Sequence, residues 1–247
     1  MNLHLQQSSL QDLHSVDLVV AGAGAAGLAC AIEGARRGAR VILVEKSPRL
    51  GGTVAQALIH TLGGLYAGDG TPLNQGLPLE LAERLLASSP HTSKRQMGKL
   101  WTLSVDPQHY EAHVTQWLAE YPGITVQRRC QVVECHAPPV ADRRRIDTLT
   151  LALPTGQRQR LSPRGVVDCT GSAALVRQLD PTAVGSGSAA AGLILRLRGA
   201  APGCLDFPHG VALQRRLRKA VAAGQLPPPA PPCGPTAASI PTRSTSS

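Results

Sequence analysis

The stretch VDLVVAGAGAAGLACAIEGARRGARVILVEK, Val16 to Lys46, decides the fold. Val16, Leu18, Val19 and Val20 form an apolar run rich in β-branched residues and read as a buried strand. Leu28, Ala31, Ile32 and Ala35 recur at helical spacing, and Val41, Ile42, Leu43 and Val44 supply a second strand. The turn GAGAAG, Gly22 to Gly27, joins the first strand to the helix, which Gly38 ends. Each glycine meets a separate demand of a bound diphosphate: a sharp turn, close backbone approach, and tight packing of helix on strand. The helix start adds unpaired amides and a positive dipole end, worth ~0.3–1 kcal/mol per favourable charge and up to ~2 when partly buried. Glu45 lies eighteen positions after Gly27 and ends the second strand, close to the roughly 20-residue spacing of a ribose-binding acid. The unit therefore predicts dinucleotide binding, with Gly22, Gly24, Ala25, Ala26 and Gly27 around the pyrophosphate and Glu45 accepting both ribose hydroxyls. The competing reading is a glycine turn kept only for packing in an alanine-rich chain.

These residues resemble the FAD-dependent oxidoreductases of the two-dinucleotide-binding type, whose signature continues through Ala31, Gly38 and Glu45. Lys46 and the pair Gly51-Gly52 follow the acid, a pair that runs beneath the pyrophosphate in that family and that NAD-only proteins usually lack. Val166 to Gly171, VVDCTG, is similar to the family's returning strand with its D-x-T-G turn beside FAD. Within the family the chain is similar to the flavin subunit of heterodisulfide reductase. That likeness rests on Gly52-Thr53 through Leu65-Tyr66, on Val105-Asp106-Pro107, and on residues 192–199. It departs from the pattern at Gly171-Ser172-Ala173, where members usually carry Gly-Asp-Gly.

The resemblance implies an α/β, Rossmann-like FAD/NAD(P)-binding fold of glutathione-reductase-like, three-layer architecture, with a partial antiparallel substrate-domain sheet. It implies non-covalently bound FAD and transfer of hydride or electrons to a small-molecule substrate or redox partner. It adds Lys46, Gly51, Gly52, Thr53, Thr170 and Gly171 to the cofactor site, and a backbone group of Val132 toward adenine. The segment Thr53 to Tyr66 is expected to run along the flavin, so His60, Thr61 and Tyr66 are the side chains expected to meet substrate. His60 is the catalytic candidate, suited to move a proton or stabilise negative charge near the reduced ring. A hydrogen-bonded structural histidine is the other reading. A nucleotide-binding remnant without turnover, and a protein that binds NAD alone, are the competing functions.

A chain of 247 residues can bury a sizeable core in one or two domains. The FAD-binding half is expected from residues 15–60 and 105–180, a partial substrate domain from 61–104 and 181–224, and disordered ends at 1–14 and 225–247. The last segment holds seven of the twenty prolines and no periodic apolar residues. No glycine-rich segment returning over the flavin follows, so a truncated or frameshifted chain is expected. Helices are predicted over Leu77 to Ala87 and after Asp106-Pro107, with Asp106 as cap and Tyr110, Val114, Trp117 and Leu118 on one face. Pro122-Gly123 stops the latter. Ile124 to Val126 with Gln131 to Val133 reads as one extended segment, and Leu149 to Leu153 with Arg158 to Leu161 as a hairpin.

Six cysteines fit a reducing compartment, and a cytoplasmic protein is expected. Cys130 and Cys135 are read as structural thiols rather than a redox pair, because positions five apart on a strand face opposite sides. Iron–sulfur clusters occur in heterodisulfide-reductase relatives, but no closely spaced cysteine run supports one here. His109 and His113 have the spacing of a metal pair without a third ligand and read as surface residues. The net charge of +9 comes largely from arginine runs, read as solvated surface. Nucleic-acid binding is not expected, since none of the six aromatics interleaves with those runs. No apolar run approaches the ~18 residues of a membrane span, and no membrane association is expected.

Overall fold

The computed structural model describes residues 16–140, 143–185, 187, 194, 199, 201, 203–204 and 208–226. The expected N-terminal arm, nearly all of the 192–199 stretch and most of the expected tail lie outside the described residues. The chain opens with β1 (Leu18–Ala21), α1 (Ala25–Arg36) and β2 (Val41–Glu45), the predicted unit. There follow α2 (Gly52–Gln56), β3 (Thr61–Leu62), α3 (Leu77–Ser88), β4 (Ser93–Met97), β5 (Leu100–Ser104) and α4 (Pro107–Ala119). The remainder comprises β6 (Ile124–Arg128), β7 (Gln131–His136), the two-residue strands β8 (Pro139–Val140) and β9 (Arg143–Arg144), β10 (Thr148–Ala152), β11 (Arg158–Leu161), β12 (Gly165–Asp168), α5 (Ala174–Leu179) and α6 (His209–Ala222).

Four strands form a parallel sheet in the order β12-β1-β2-β6. Leu18 pairs with Gly165 on one side and Val41 on the other, and Val41 pairs with Ile124. Side chains alternate between two buried faces, as a strand's two-residue period requires. Val20, Val41 and Leu43 enter one core with Leu28, Ala31 and Ile32 of α1 and Val114, Trp117 and Leu118 of α4. Val19, Ala21, Ile42 and Val44 enter a second core with Val132, Leu149, Leu151 and Leu161 from the antiparallel sheet β11-β10-β7. Helices, parallel sheet and antiparallel sheet are the three layers expected. Each Val, Ile or Leu fully buried in this way contributes about 1.5–3 kcal/mol.

The 124–133 segment is two strands rather than one. β6 stays in the parallel sheet, whereas β7 joins the antiparallel one. Between them Arg129 adopts φ 53, with its N–H donating to the Ser47 carbonyl, and Cys130 N–H donates to the Glu45 carbonyl. The predicted hairpin is β10 and β11, in the register Leu149 to Leu161. A third sheet, β3-β5-β4, is antiparallel and lies within residues 61–104. Asp106 caps α4 by accepting from Gln108 N–H at 2.8 Å, and Tyr110, Val114, Trp117 and Leu118 are all buried, as their spacing predicts.

Two surface assignments change. Arg128, in one of the arginine runs, clamps the end of β6: its guanidinium donates to the Pro48 carbonyl and to Thr115 Oγ1, each at 3.1 Å. His109 and His113 are half-buried, their rings stacked 6.4 Å apart, with His109 Nε2 3.0 Å from Ser88 Oγ. His113 Nε2 is buried with no hydrogen-bond partner among the described residues. Burial, then the charges of His109 and Arg84, hold His113 below the usual imidazole range, against Glu120.

Because the native state disfavours protonated His113, the unfolded chain takes up that proton first. Its contribution is complete above the ordinary imidazole value of about 6.5 and is lost as pH falls from there toward the lower folded value. The melting temperature is expected to drop more steeply between about pH 7 and 5.5 in the native sequence than in His113→Gln. Parallel melting curves across that range would remove His113 as the cause.

Candidate functional site

The turn between β1 and α1 sorts its three glycines by what surrounds them. A Cβ on Gly22 would lie 2.4 Å from the Cys169 carbonyl oxygen, and one on Gly27 would lie 1.8 Å from the Gly22 carbonyl oxygen. Those two glycines are demanded by the protein's own packing. Gly24 is different: the nearest atom to its Cβ position is Gly52 Cα, at 4.0 Å, and its φ of −77 suits any residue. No side chain caps α1, and Ala25 and Ala26, which open its first turn, are exposed. The first-turn amides of a 12-residue helix therefore face an open cradle.

A second glycine turn forms the opposite wall. Gly51 has φ 95 and donates its N–H to the Ala23 carbonyl at 2.9 Å. A Cβ on Gly52 would lie 2.8 Å from Gly24 Cα, so the two turns meet backbone to backbone. Thr53 and Lys46 are exposed beside this junction in the chain. Glu45 is 5% exposed; its Oε2 accepts from Ala23 N–H and its Oε1 from Ser47 N–H, each at 2.8 Å. Both oxygens are thereby oriented, and each keeps lone-pair capacity for a ribose hydroxyl.

The third wall comes from the end of β12. Asp168 Oδ1 accepts from Thr170 N–H and Oγ1, and Oδ2 from Leu175 and Val176 N–H. Burial alone would raise this carboxyl, but the four donors outweigh it and hold it below the usual carboxylate range. Asp168 thus builds the turn that carries Thr170 and Gly171 and caps α5. The Asp-x-Thr spacing, a side chain reaching the backbone two residues on, was the available signal for that role. Ala173 sits at φ 52, ψ 43, a left-handed position that favours glycine, and the Ser172 carbonyl accepts from Arg177 Nε at 3.0 Å. Val132 buries its side chain opposite Leu151, two residues beyond the Cys130 N–H that bonds the end of β2.

Gly22, Glu45, Arg128 and Asp168 all lie at the carboxyl ends of the parallel strands, where open α/β sheets hold ligands. His60 lies farther along the chain, half-exposed between α2 and β3, with its carbonyl accepting from Val105 N–H at 2.8 Å. Thr61 pairs with Ser104 in the small sheet. Tyr66 carries the Lys94 ammonium 4.6 Å from its ring centre, a contact Lys94 shares with Trp101. Burial pushes the Cys130 and Cys135 thiols up to about 11, which keeps both protonated and inert. Among the described residues no group of three His, Cys, Asp or Glu side chains could hold a metal, and no helix is long and apolar enough to cross a membrane.

An uncapped helix start, an unfilled cradle at Gly24 and an oriented carboxylate at Glu45 fit the diphosphate and ribose of a dinucleotide, on a Rossmann-like sheet. The model of the FAD dependent oxidoreductase family matches residues 17–192, and the chain belongs to that family. It is 32% identical over 115 residues to a vinyl phenol reductase of Lactiplantibacillus plantarum, a match covering 44% of this chain and 22% of that protein. It is 46% identical over 54 residues to a dihydrolipoyl dehydrogenase of Manduca sexta, covering 19% and 11% of the two chains. The crystal structure of THI4 from Thermovibrio ammonificans shares the fold, with a TM-score of 0.53 at 18% identity over 70% of this chain and 65% of that one. The chain spans less than two thirds of each of these relatives.

Two substitutions separate the cradle from its scaffold. Gly24→Ala is expected to fold with a melting temperature close to that of the native chain and to lose affinity for ADP. Gly27→Ala is expected to yield no folded protein, because its methyl collides with backbone. Calorimetric titration with ADP and thermal melts check both. Ala173→Gly should stabilise by about 1 kcal/mol by relieving the left-handed alanine, read in urea titrations.

Proposed function

We propose that this chain binds FAD with its diphosphate between the Gly24 and Gly52 turns, and that the protein to which it belongs transfers hydride or electrons through that flavin. The single observation that carries this reading is the uncapped start of α1 facing an unfilled space at Gly24, in a chain of the FAD dependent oxidoreductase family. Gly22, Ala25, Ala26 and Gly27 shape the α1 turn, Glu45 takes the ribose hydroxyls, and Gly51, Gly52 and Thr53 close the cradle. Lys46 flanks the ribose side, a backbone group of Val132 serves adenine, and Thr170 with Gly171 lines the flavin side. Bound FAD supplies the redox chemistry, which no side chain of the site could provide. His60, set after the double-glycine helix, holds or moves a proton at the substrate side.

The finer assignment is a flavoprotein similar to the flavin subunit of heterodisulfide reductase, supported by the stretches Gly52-Thr53 through Leu65-Tyr66, Val105-Asp106-Pro107 and residues 192–199. Residues 15–60 and 105–180 make the FAD-binding part; residues 61–104, with their own antiparallel sheet, and 181–224 make part of a substrate domain. The partner is a small molecule or redox protein rather than nucleic acid, supported by the engagement of Arg36, Arg49, Arg84 and Arg128 in ion pairs and hydrogen bonds within the fold. A reducing, cytoplasmic setting is supported by five free cysteines among the described residues.

Saturation with FAD at about 100 times its dissociation constant should stabilise the fold by about 2.7 kcal/mol, and a smaller thermal shift is expected with NAD. A shift with NAD equal to or larger than that with FAD would make this an NAD protein. Stopped-flow mixing of the reconstituted yellow protein with NADH, NADPH or dithionite should bleach the flavin band. Bleaching by dithionite alone would favour a binding remnant without turnover.

A further inference from the structure

Beneath the double-glycine turn lies a side chain that no nucleotide motif contains. Tyr110 stands one turn inside α4 and is 1% exposed. Its ring fills the place of Gly51's absent side chain: a Cβ there would lie 2.9 Å from Tyr110 Cε1 and 3.1 Å from Cδ1. The base on which the ring stands is well fixed. Asp106 caps α4, its carbonyl accepts from Tyr110 N–H at 2.8 Å, and Val105 N–H bonds the His60 carbonyl just beyond α2. From the ring upward the order is Gly51, then Gly52, then Gly24, each in van der Waals contact with the next or joined to it in the chain.

Among the described residues, Gly51 N–H to the Ala23 carbonyl is the one hydrogen bond that ties this turn to its neighbour, and α2 is five residues long with no side-chain cap. A short, uncapped helix has little rigidity of its own. The ring prevents the turn from sinking away from Gly24. We propose that Tyr110 is a positioning residue that sets the spacing of the Gly51-Gly52 turn from Gly24 and so tunes affinity for the pyrophosphate. The proposal rests on the FAD reading of this site. It assigns the effect to the ring, since the hydroxyl is not part of the stack, and to the diphosphate portion of the ligand, since Glu45 and the adenosine end are built by β2 and the segment after β6.

The test uses the full chain, FAD titrations followed by flavin fluorescence, and competition by ADP and by adenosine. Tyr110→Leu is expected to weaken FAD and ADP by about tenfold, equivalent to about 1.4 kcal/mol, and to leave adenosine unchanged. Tyr110→Phe should restore native affinity for all three. Should Tyr110→Leu not fold, Tyr110→Met, closer in volume, takes its place. A folded variant that binds FAD as the native chain does would overturn the proposal. So would equal losses for ADP and adenosine, which mark a general structural defect. A native chain that binds neither FAD nor ADP would overturn the nucleotide reading itself, and this proposal with it.

Discussion

The close approach of two backbones, Gly52 against Gly24, is the constraint on which the rest of the site depends. It can exist only where Gly52 carries no Cβ, and it joins the turn after β1 to the turn after β2. Ala23, fully buried between them, is held from both sides: its N–H by the Glu45 carboxylate, its carbonyl by Gly51 N–H. The two glycine turns and the Glu45 carboxylate are therefore one hydrogen-bonded assembly centred on a single residue. The donors that orient the carboxylate are Ala23 N–H, from the turn after β1, and Ser47 N–H, two residues past β2.

The sheet gives that assembly a rigid base. With helices on one face and an antiparallel layer on the other, β2 is buried throughout and β1 in all but the half-buried Leu18, and their alternating side chains fill two cores at once. A parallel sheet needs cover on both faces, and here the second cover comes from β7, β10 and β11. The same layer positions Val132 near the end of β2. Polar links then fasten the helical face: Arg36 bridges α1 to Glu80 and Tyr121, and Arg84 reaches from α3 to Glu120 while lying over the Trp117 ring. Such half-exposed pairs stabilise little individually, and they fix the relative seating of helices already packed through apolar faces.

Much of this was legible in the residues alone. Whereas the three-layer class followed from the resemblance to the FAD-dependent oxidoreductases, the βαβ unit, α4 with its Asp106 cap and the β10–β11 hairpin follow from periodicity, caps and turns, which are local. The glycine spacing located the nucleotide end of the sheet for the same reason. What the sequence concealed is set by contacts between distant segments. The split of the 124–133 stretch depends on Arg129 adopting a left-handed conformation beside Ser47. The role of Tyr110 appears only once α4 lies under Gly51. Its periodicity marked it as a core residue, which is correct and says nothing of which neighbour it supports. Half-burial of His109 and His113 depends on α3 packing across them, and the clamp made by Arg128 depends on the loop after β2. Charge and spacing carry no signal of either.

The collision partner of Gly22 is the carbonyl of Cys169, and β1 lies between β2 and the late strand β12. The turn that reads most clearly as a local motif is thus completed by residues synthesised far later. Closing so long a loop carries an entropic cost that must be met before the contact forms. A nascent chain emerging from the ribosome would expose the glycine motif early yet leave it open until β12 docks beside β1. Competence for nucleotide would then arrive late in biosynthesis, in one step with closure of the central sheet.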